Sequence, residues 1–345
     1  MTIRSAVPEP NMKAYNPNRY VCKKSAQPLG ELDGRLDKPF WEQAGWTEPF
    51  VDIEGDLKPA PAKRTRVKML WDDEFLYFGA LLEDDEIWAT LTERDSVIFH
   101  DNDFEIFIDP DGDTHNYYEF EMNALNTVWD LLLVKPYRDN GPPINGWDIR
   151  GIRTAVHIDG KLNDPSADNR AWSVEVAMPW EALKECAPGG RPPKPGEFWR
   201  INFSRVQWQV EIKDGKYVKK LDPRTGKPYP EDNWVWSPQG IINMHYPELW
   251  GYVFFADGNA PAQDAPPIPE DEAIKWGLRK LYYRQRQYAA EHGRFHGDPG
   301  ALLKENELPQ GTKLEITSRT FLASAPAKDG TSTIYIREDG KVWRE

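Results

Sequence analysis

Cysteine is almost absent. Only Cys22 and Cys186 occur among 345 residues. With no CxxC or CxxCH motif, a zinc ribbon and covalently attached c-type haem are excluded, and a Cys22–Cys186 disulfide is the one pairing left open. Long apolar runs are missing as well. The N-terminal stretch "MTIRSAVPEPNMKAYNPNRY" carries no apolar signal core, and no later run approaches the ~20 residues of a membrane span. The chain is therefore expected to be soluble, with no membrane insertion: cytoplasmic as it stands, secreted or periplasmic if a leader precedes it. Basic runs are absent too, and the net charge is −13. An acidic surface repels phosphate backbones and anionic headgroups, which argues against nucleic acid as a partner. Neutral ligands or cations suit it better. The oligomeric state is left open.

Aromatic side chains, by contrast, are plentiful, with 15 Trp and 14 Tyr. Such rings join a large apolar face to a polar edge and serve both cores and binding surfaces. Residues 1–18 are polar and rich in Pro and Asn, and read as a loose arm. From 19 to 256 short strands alternate with turns. "TRVKMLWD" and "FLYFGALLED" flank Asp73 and Glu74 as one hairpin; "FEIFIDP" and "YYEFEMNAL" flank "DGDTHN" as another. "TAVHID" and "WSVEVAMPW" make a third pair, "EFWRINFSRVQWQVE" one long strand, and "LWGYVFFA" the last. A short helix is expected at "PWEALKEC". This pattern predicts an antiparallel β-sandwich. Residues 257–269 form a Pro-rich linker. Residues 270–345 then predict a small α+β domain: one long helix over 270–293, stopped by Gly293, and a β-meander.

The segments "LDGRLDKPFWEQAGWTEPF", "VKMLWDDEFLYFGALLEDD", "HDNDFEIFIDPDGD" and "WSVEVAMPWEAL" occur in an order that resembles the family 9 carbohydrate-binding modules and their relatives. The resemblance spans about residues 20–256 and implies a β-sandwich of jelly-roll type, a sugar or polysaccharide end as ligand, and bound calcium, with no organic cofactor. Carried over residue by residue, the family's first stacking Trp falls on Phe99 and its binding Glu on Glu105. A second stacking Trp falls at about Met244, a binding Arg at about Glu121 and a binding Gln at about Ser204. The framework is kept while much of the sugar clamp differs.

Period-2 alternation places Asp103, Glu105, Phe107 and Asp109 on one strand face, and Glu119, Glu121 and Asn123 on another. If their strands are neighbours, Glu105, Glu121, Asn123, Glu175 and Asn202 line one concave sheet. Like charges facing each other across strands cost stability, so such a face asks for a cation or a ligand. Carboxylates accept sugar hydroxyls while an aromatic ring covers the C–H face. Candidate binding residues are Phe99, His100, Asp101, Asn102, Glu105, Glu121, Asn123, Trp129, Trp147, Asp148 and His245. Asp109, Asp111 and Asp113, at alternate positions around Gly112, are candidate calcium ligands; a hairpin turn rich in turn-formers explains them equally. Two other functions stay open: a sugar-active enzyme using Glu105 or Glu121 with His100 as acid and base, and a haem-b module with His100, Met122 and Met244 as axial ligands.

Overall fold

The computed structural model describes residues 5–12, 14–259 and 265–345. Parts of the expected arm (1–4 and 13) and of the expected linker (260–264) lie outside the described residues. The strands in chain order are β1 (Arg19–Lys24), β2 (Val51–Asp52), β3 (Thr65–Trp71), β4 (Phe75–Glu83), β5 (Asp103–Asp109), β6 (Tyr117–Asn123), β7 (Val128–Leu133), β8 (Pro143–Ile144), β9 (Arg153–Asp159) and β10 (Ala171–Pro179). They continue with β11 (Phe198–Gln207), β12 (Val210–Lys213), β13 (Lys216–Lys219), β14 (Asp232–Val235), β15 (Gly251–Ala256), β16 (Lys313–Ile316), β17 (Phe321–Pro326), β18 (Thr333–Arg337) and β19 (Val342–Arg344). The helices are α1 (Pro39–Glu42), α2 (Trp180–Leu183) and α3 (Glu270–His292).

One sandwich layer runs β8-β7-β6-β5-β11-β15 and the other β1-β3-β4-β10-β9. Parallel pairing of β1 with β15 joins them along one edge. The end of β11 pairs instead with β14, which pairs with β2. Alternation sends one set of side chains from each strand between the layers. Phe104, Ile106 and Ile108 of β5, Tyr118, Phe120 and Met122 of β6, and Trp199, Ile201 and Phe203 of β11 meet Val67, Phe78, Trp172, Val174 and Val176 from the facing layer. All the expected hairpins form, and the fold is a mainly β sandwich. The expected long strand breaks after Gln207, and Val210–Lys213 turns away to pair with β13. The expected helix at "PWEALKEC" is a single turn, α2; Pro188 and two Gly residues at positive φ follow soon after it and bar its continuation. Cys22 and Cys186 are both free thiols.

Glu175 does not share a face with Glu105. It lies on β10 in the opposite layer, where its carboxylate accepts Trp41 Nε1 (2.8 Å), Gly34 N (2.9 Å), Asp33 N (2.9 Å) and Lys38 Nζ (2.6 Å). It ties down the "LDGRLDKPFW" segment. Gly34 is needed there: its φ is +81°, and a Cβ would stand 2.3 Å from His157 N.

At the C-terminus, α3 packs on β17 and β18 of the meander β16-β17-β18-β19. Glu270, Asp271 and Glu272 in its first turn offset the helix dipole. Gly293 ends it in the left-handed conformation, with its N–H on the Ala289 carbonyl. This unit shares an apolar cluster with Val7 of the N-terminal arm and with Tyr246 and Leu249, just before β15. The arm's described segment 5–12 is fastened at two points: Asn11 N donates to Gly240 O (2.9 Å) and Tyr246 OH to Pro8 O (3.0 Å). Buried ion pairs complete the dock. Glu248 takes both Arg138 and the Tyr283 hydroxyl, Glu272 takes Tyr252 OH and Arg200, and Asp139 takes Tyr282 OH and Arg286. No helix among the described residues is long and apolar enough to cross a membrane.

Candidate functional site

The face of the β7-β6-β5-β11 layer turned away from the interior is laid out by strand register. Ser204 lies opposite Glu105, Glu105 opposite Glu121, and Glu121 opposite Trp129, a single row across four strands. The next row is Asn202, Phe107, Glu119 and Leu131. Asp103 pairs with Asn123 beyond the first row. Phe107, Tyr117, Leu131, Leu133 and Trp250 form an apolar patch beside the carboxylates, with Trp129 and Met244 half-buried against it. His245 closes that side. Its Nδ1 is 2.9 Å from the Tyr117 hydroxyl, its Nε2 is 4.0 Å from Glu119, and Tyr137 stands edge-on to its ring. At the other end, Phe99 N donates to Glu121 (3.0 Å) and Trp208 Nε1 donates to the Phe99 carbonyl (2.8 Å).

Asp103, Glu105, Glu119 and Glu121 are all at most 5% exposed. Burial raises the pKa of each, and their mutual repulsion adds to it for Asp103, Glu119 and Glu121. Glu105 is pushed up to about 7 by burial, against a hydrogen bond from Ser204 and with added repulsion from Glu231. Burial and the Arg138 charge push His245 down to about 3, so it is neutral at pH 7 and does not compensate them. The face is thus rich in acceptors and poor in cations.

This electrostatic state has a measurable consequence. In the folded chain Glu105 titrates near 7 instead of the ordinary 4.5, so the fold holds this proton more tightly than the unfolded chain. Its contribution to stability is present at low pH and is lost as pH rises between those two values. Glu105→Gln removes the titration. Urea melts in the presence of chelator should show the variant gaining stability relative to wild type from pH 4.5 to about 7, then levelling. A difference independent of pH would contradict a buried, ionisable Glu105.

Of the residues singled out from sequence, Glu105, Glu121, Trp129, Phe99 and His245 come together on this face. The others are placed differently. Asp101 is consumed as a cap: its carboxylate accepts Thr90 N and Oγ1, Leu91 N and Asn123 Nδ2. Asn123 donates to Leu91 O and accepts Leu125 N and Thr127 N, which uses up its amide in a turn. Asn102 accepts Trp208 N (2.8 Å) and so anchors the chain beyond β11. His100 is exposed, edge-on to Phe99. Trp147 belongs to another part of the fold: it stacks on Tyr118, an interior residue, and its Nε1 donates to Glu185 (3.2 Å). Asp148 is an exposed member of an ion cluster around Arg94 with Asp130. The expected haem ligands do not converge, because Met122 lies in the interior while Met244 lies against the outer patch.

Asp109, Asp111 and Asp113 each bring one oxygen to within 4.8 Å of the others. The turn uses them too. Asp109 accepts Gly112 N and Thr114 N, Asp111 accepts Asp113 N, and Asp113 accepts His115 N and the Lys341 ammonium of the docked meander (2.9 Å). Burial and the neighbouring carboxylates raise Asp109, and push Asp111 up to about 6. An all-oxygen set of this kind fits a hard cation.

Sequence reasoning missed Tyr137 and Trp208 as walls. Tyr137 sits in "PYRDNG", a turn after a strand that shows no alternation. Trp208 follows the break in β11 that the pattern concealed.

Residues 32–191 match the family model described as carbohydrate family 9 binding domain-like. Solved structures similar to the chain include a family 9 carbohydrate-binding module from Caldicellulosiruptor kristjanssonii in complex with cellotriose. It is 17% identical with a TM-score of 0.44, and the match covers 73% of this chain and 100% of that one. Another is a family 9 module from Caldicellulosiruptor kristjanssonii in complex with glucose, 16% identical with a TM-score of 0.44, covering 72% of this chain and 100% of that one. No curated protein matches the chain. Glu105, Glu119, Glu121 and Trp129 all fall inside the residues that match this family model.

Proposed function

We propose that the chain binds carbohydrate on the outer face of the β7-β6-β5-β11 layer. The observation that carries this is the row Ser204–Glu105–Glu121–Trp129, which sets carboxylate acceptors beside an indole on a rigid sheet. Glu105 and Glu121 offer carboxyl oxygens to sugar hydroxyls, and the bond to Glu105 becomes charge-assisted as pH rises through about 7. Trp129, with Tyr137 and Phe99 at the margins, covers the C–H faces of the rings. The family match over residues 32–191 supports the ligand class. Phe99 and Met244 stand where the resemblance implies stacking Trp residues, so the polar contacts carry more of the affinity. The same reading extends to calcium at Asp109, Asp111 and Asp113, a second, separate place where the ion would brace the β5–β6 turn.

A glycan array probed with the full chain, with and without EDTA, tests the proposal. Retention of a coherent set of related glycans is expected, and it should weaken when Trp129→Ala replaces wild type. Absence of binding across the array would overturn it.

A further inference from the structure

We infer that Asp103, Glu105 and Glu121 hold a divalent cation of the calcium class on the outer face of the β5–β6 hairpin. Each offers one carboxylate oxygen, and the three oxygens lie within 4.8 Å of one another. Calcium–oxygen distances of roughly 2.3–2.6 Å allow oxygens up to about 5 Å apart to share one ion. A second observation points the same way. Asp103 is fully buried, yet its Oδ2 has no hydrogen-bond partner among the described residues, while Oδ1 accepts Val206 N (3.2 Å). Buried polar atoms without a partner are rare in native folds and ask for an explanation. A bound cation supplies the missing partner.

The charges that act on these three groups are other carboxylates: Glu105, Asp101 and Glu119 on Asp103, Glu231 on Glu105, and Glu105, Asp103 and Glu119 on Glu121. Concentrating negative charge in a dry place is unfavourable unless protons or a cation neutralise it. The donor set is all carboxylate oxygen, with no thiolate or imidazole, which selects a hard ion over zinc or copper. Glu121 also accepts Phe99 N, which fixes its orientation as an outer hydrogen bond does for a metal ligand. The remaining coordination positions are left for water or for a pair of ligand hydroxyls. That last role, a bridge from protein to sugar, rests on the carbohydrate reading; the ion itself rests on the three carboxylates.

The test is terbium(III) titration of the full chain, reading emission sensitised by tryptophan, followed by displacement with calcium. Trp129 lies directly across from Glu121 and serves as antenna. Wild type should show sensitised emission that calcium competes away. Asp103→Asn and Glu121→Gln, near-isosteric changes that relieve repulsion, should each weaken that binding by at least about tenfold. Asp111→Asn, in the separate turn cluster, should leave this component in place. Urea melts in chelator should show Asp103→Asn and Glu121→Gln at least as stable as wild type, so lost binding is not lost folding. Terbium affinity unchanged in Glu121→Gln and Asp103→Asn would overturn the inference, as would no sensitised emission in wild type. Sugar titrations in EDTA and in calcium keep the two ideas apart. Sugar binding without any terbium site removes the ion and keeps the carbohydrate reading; a terbium site lost in the variants, with no sugar bound, does the reverse.

Discussion

Asp139→Ala should lower the unfolding free energy by about 3–5 kcal/mol, the range seen when one partner of a buried ion pair is removed. Asp139 has no exposure, and neither has Arg286, which pairs with it. The Tyr282 hydroxyl donates to both Asp139 oxygens at 2.8 Å. Removing the carboxylate strands a guanidinium and a hydroxyl in the seam between α3 and the turn after β7. The pair's own net worth is smaller, because both charges were desolvated to make it. The cost lies in the group left behind. Arg286 also donates to the Ser5 carbonyl (3.1 Å), so the N-terminal arm loosens as well. Urea melts of wild type and variant measure the effect. A loss below about 1 kcal/mol would mean that water reaches the seam and that the C-terminal unit is not fastened there.

Above pH 7, where Glu105 is ionised, Glu105→Ala should weaken carbohydrate binding by roughly 1.5–3 kcal/mol, the worth of a hydrogen bond to an ionised group. That is about ten- to a hundredfold in affinity. Glu105 sits at the centre of the row, with Ser204 on one flank and Glu121 on the other. Truncating it also relieves repulsion within the carboxylate group, so the fold is not expected to weaken with it. Binding then falls without a matching loss of stability, which separates loss of a contact from loss of the protein.

Much of the sandwich was legible because its hairpins alternate cleanly and their turns are marked by Asp, Gly and Asn. β7 was not, since five of the six residues in "VWDLLL" are buried and the strand shows no period-2 pattern. Alternation told which side of its own strand Glu175 occupies but not which layer the strand joins, and long-range pairing decided that. The Pro- and Asn-rich arm looked loose because composition reports local propensity, whereas Val7 is held by contacts with residues far along the chain. Of the site, the carboxylate row followed from alternation and the family resemblance together. Asp101 and Asn123 misled because the residue types that bind hydroxyls also cap turns. Their hydrogen bonds are spent within the fold, on partners that the local sequence does not indicate.

Calorimetric titration of wild type and Glu105→Ala with a panel of neutral oligosaccharides, both proteins shown to be folded by their melts, tests the central claim most directly. Wild type should bind at least one member, and Glu105→Ala should bind the same member roughly ten- to a hundredfold more weakly. Equal affinity of the two proteins would remove Glu105 from the site, and heat from neither across the whole panel would contradict carbohydrate binding on this face.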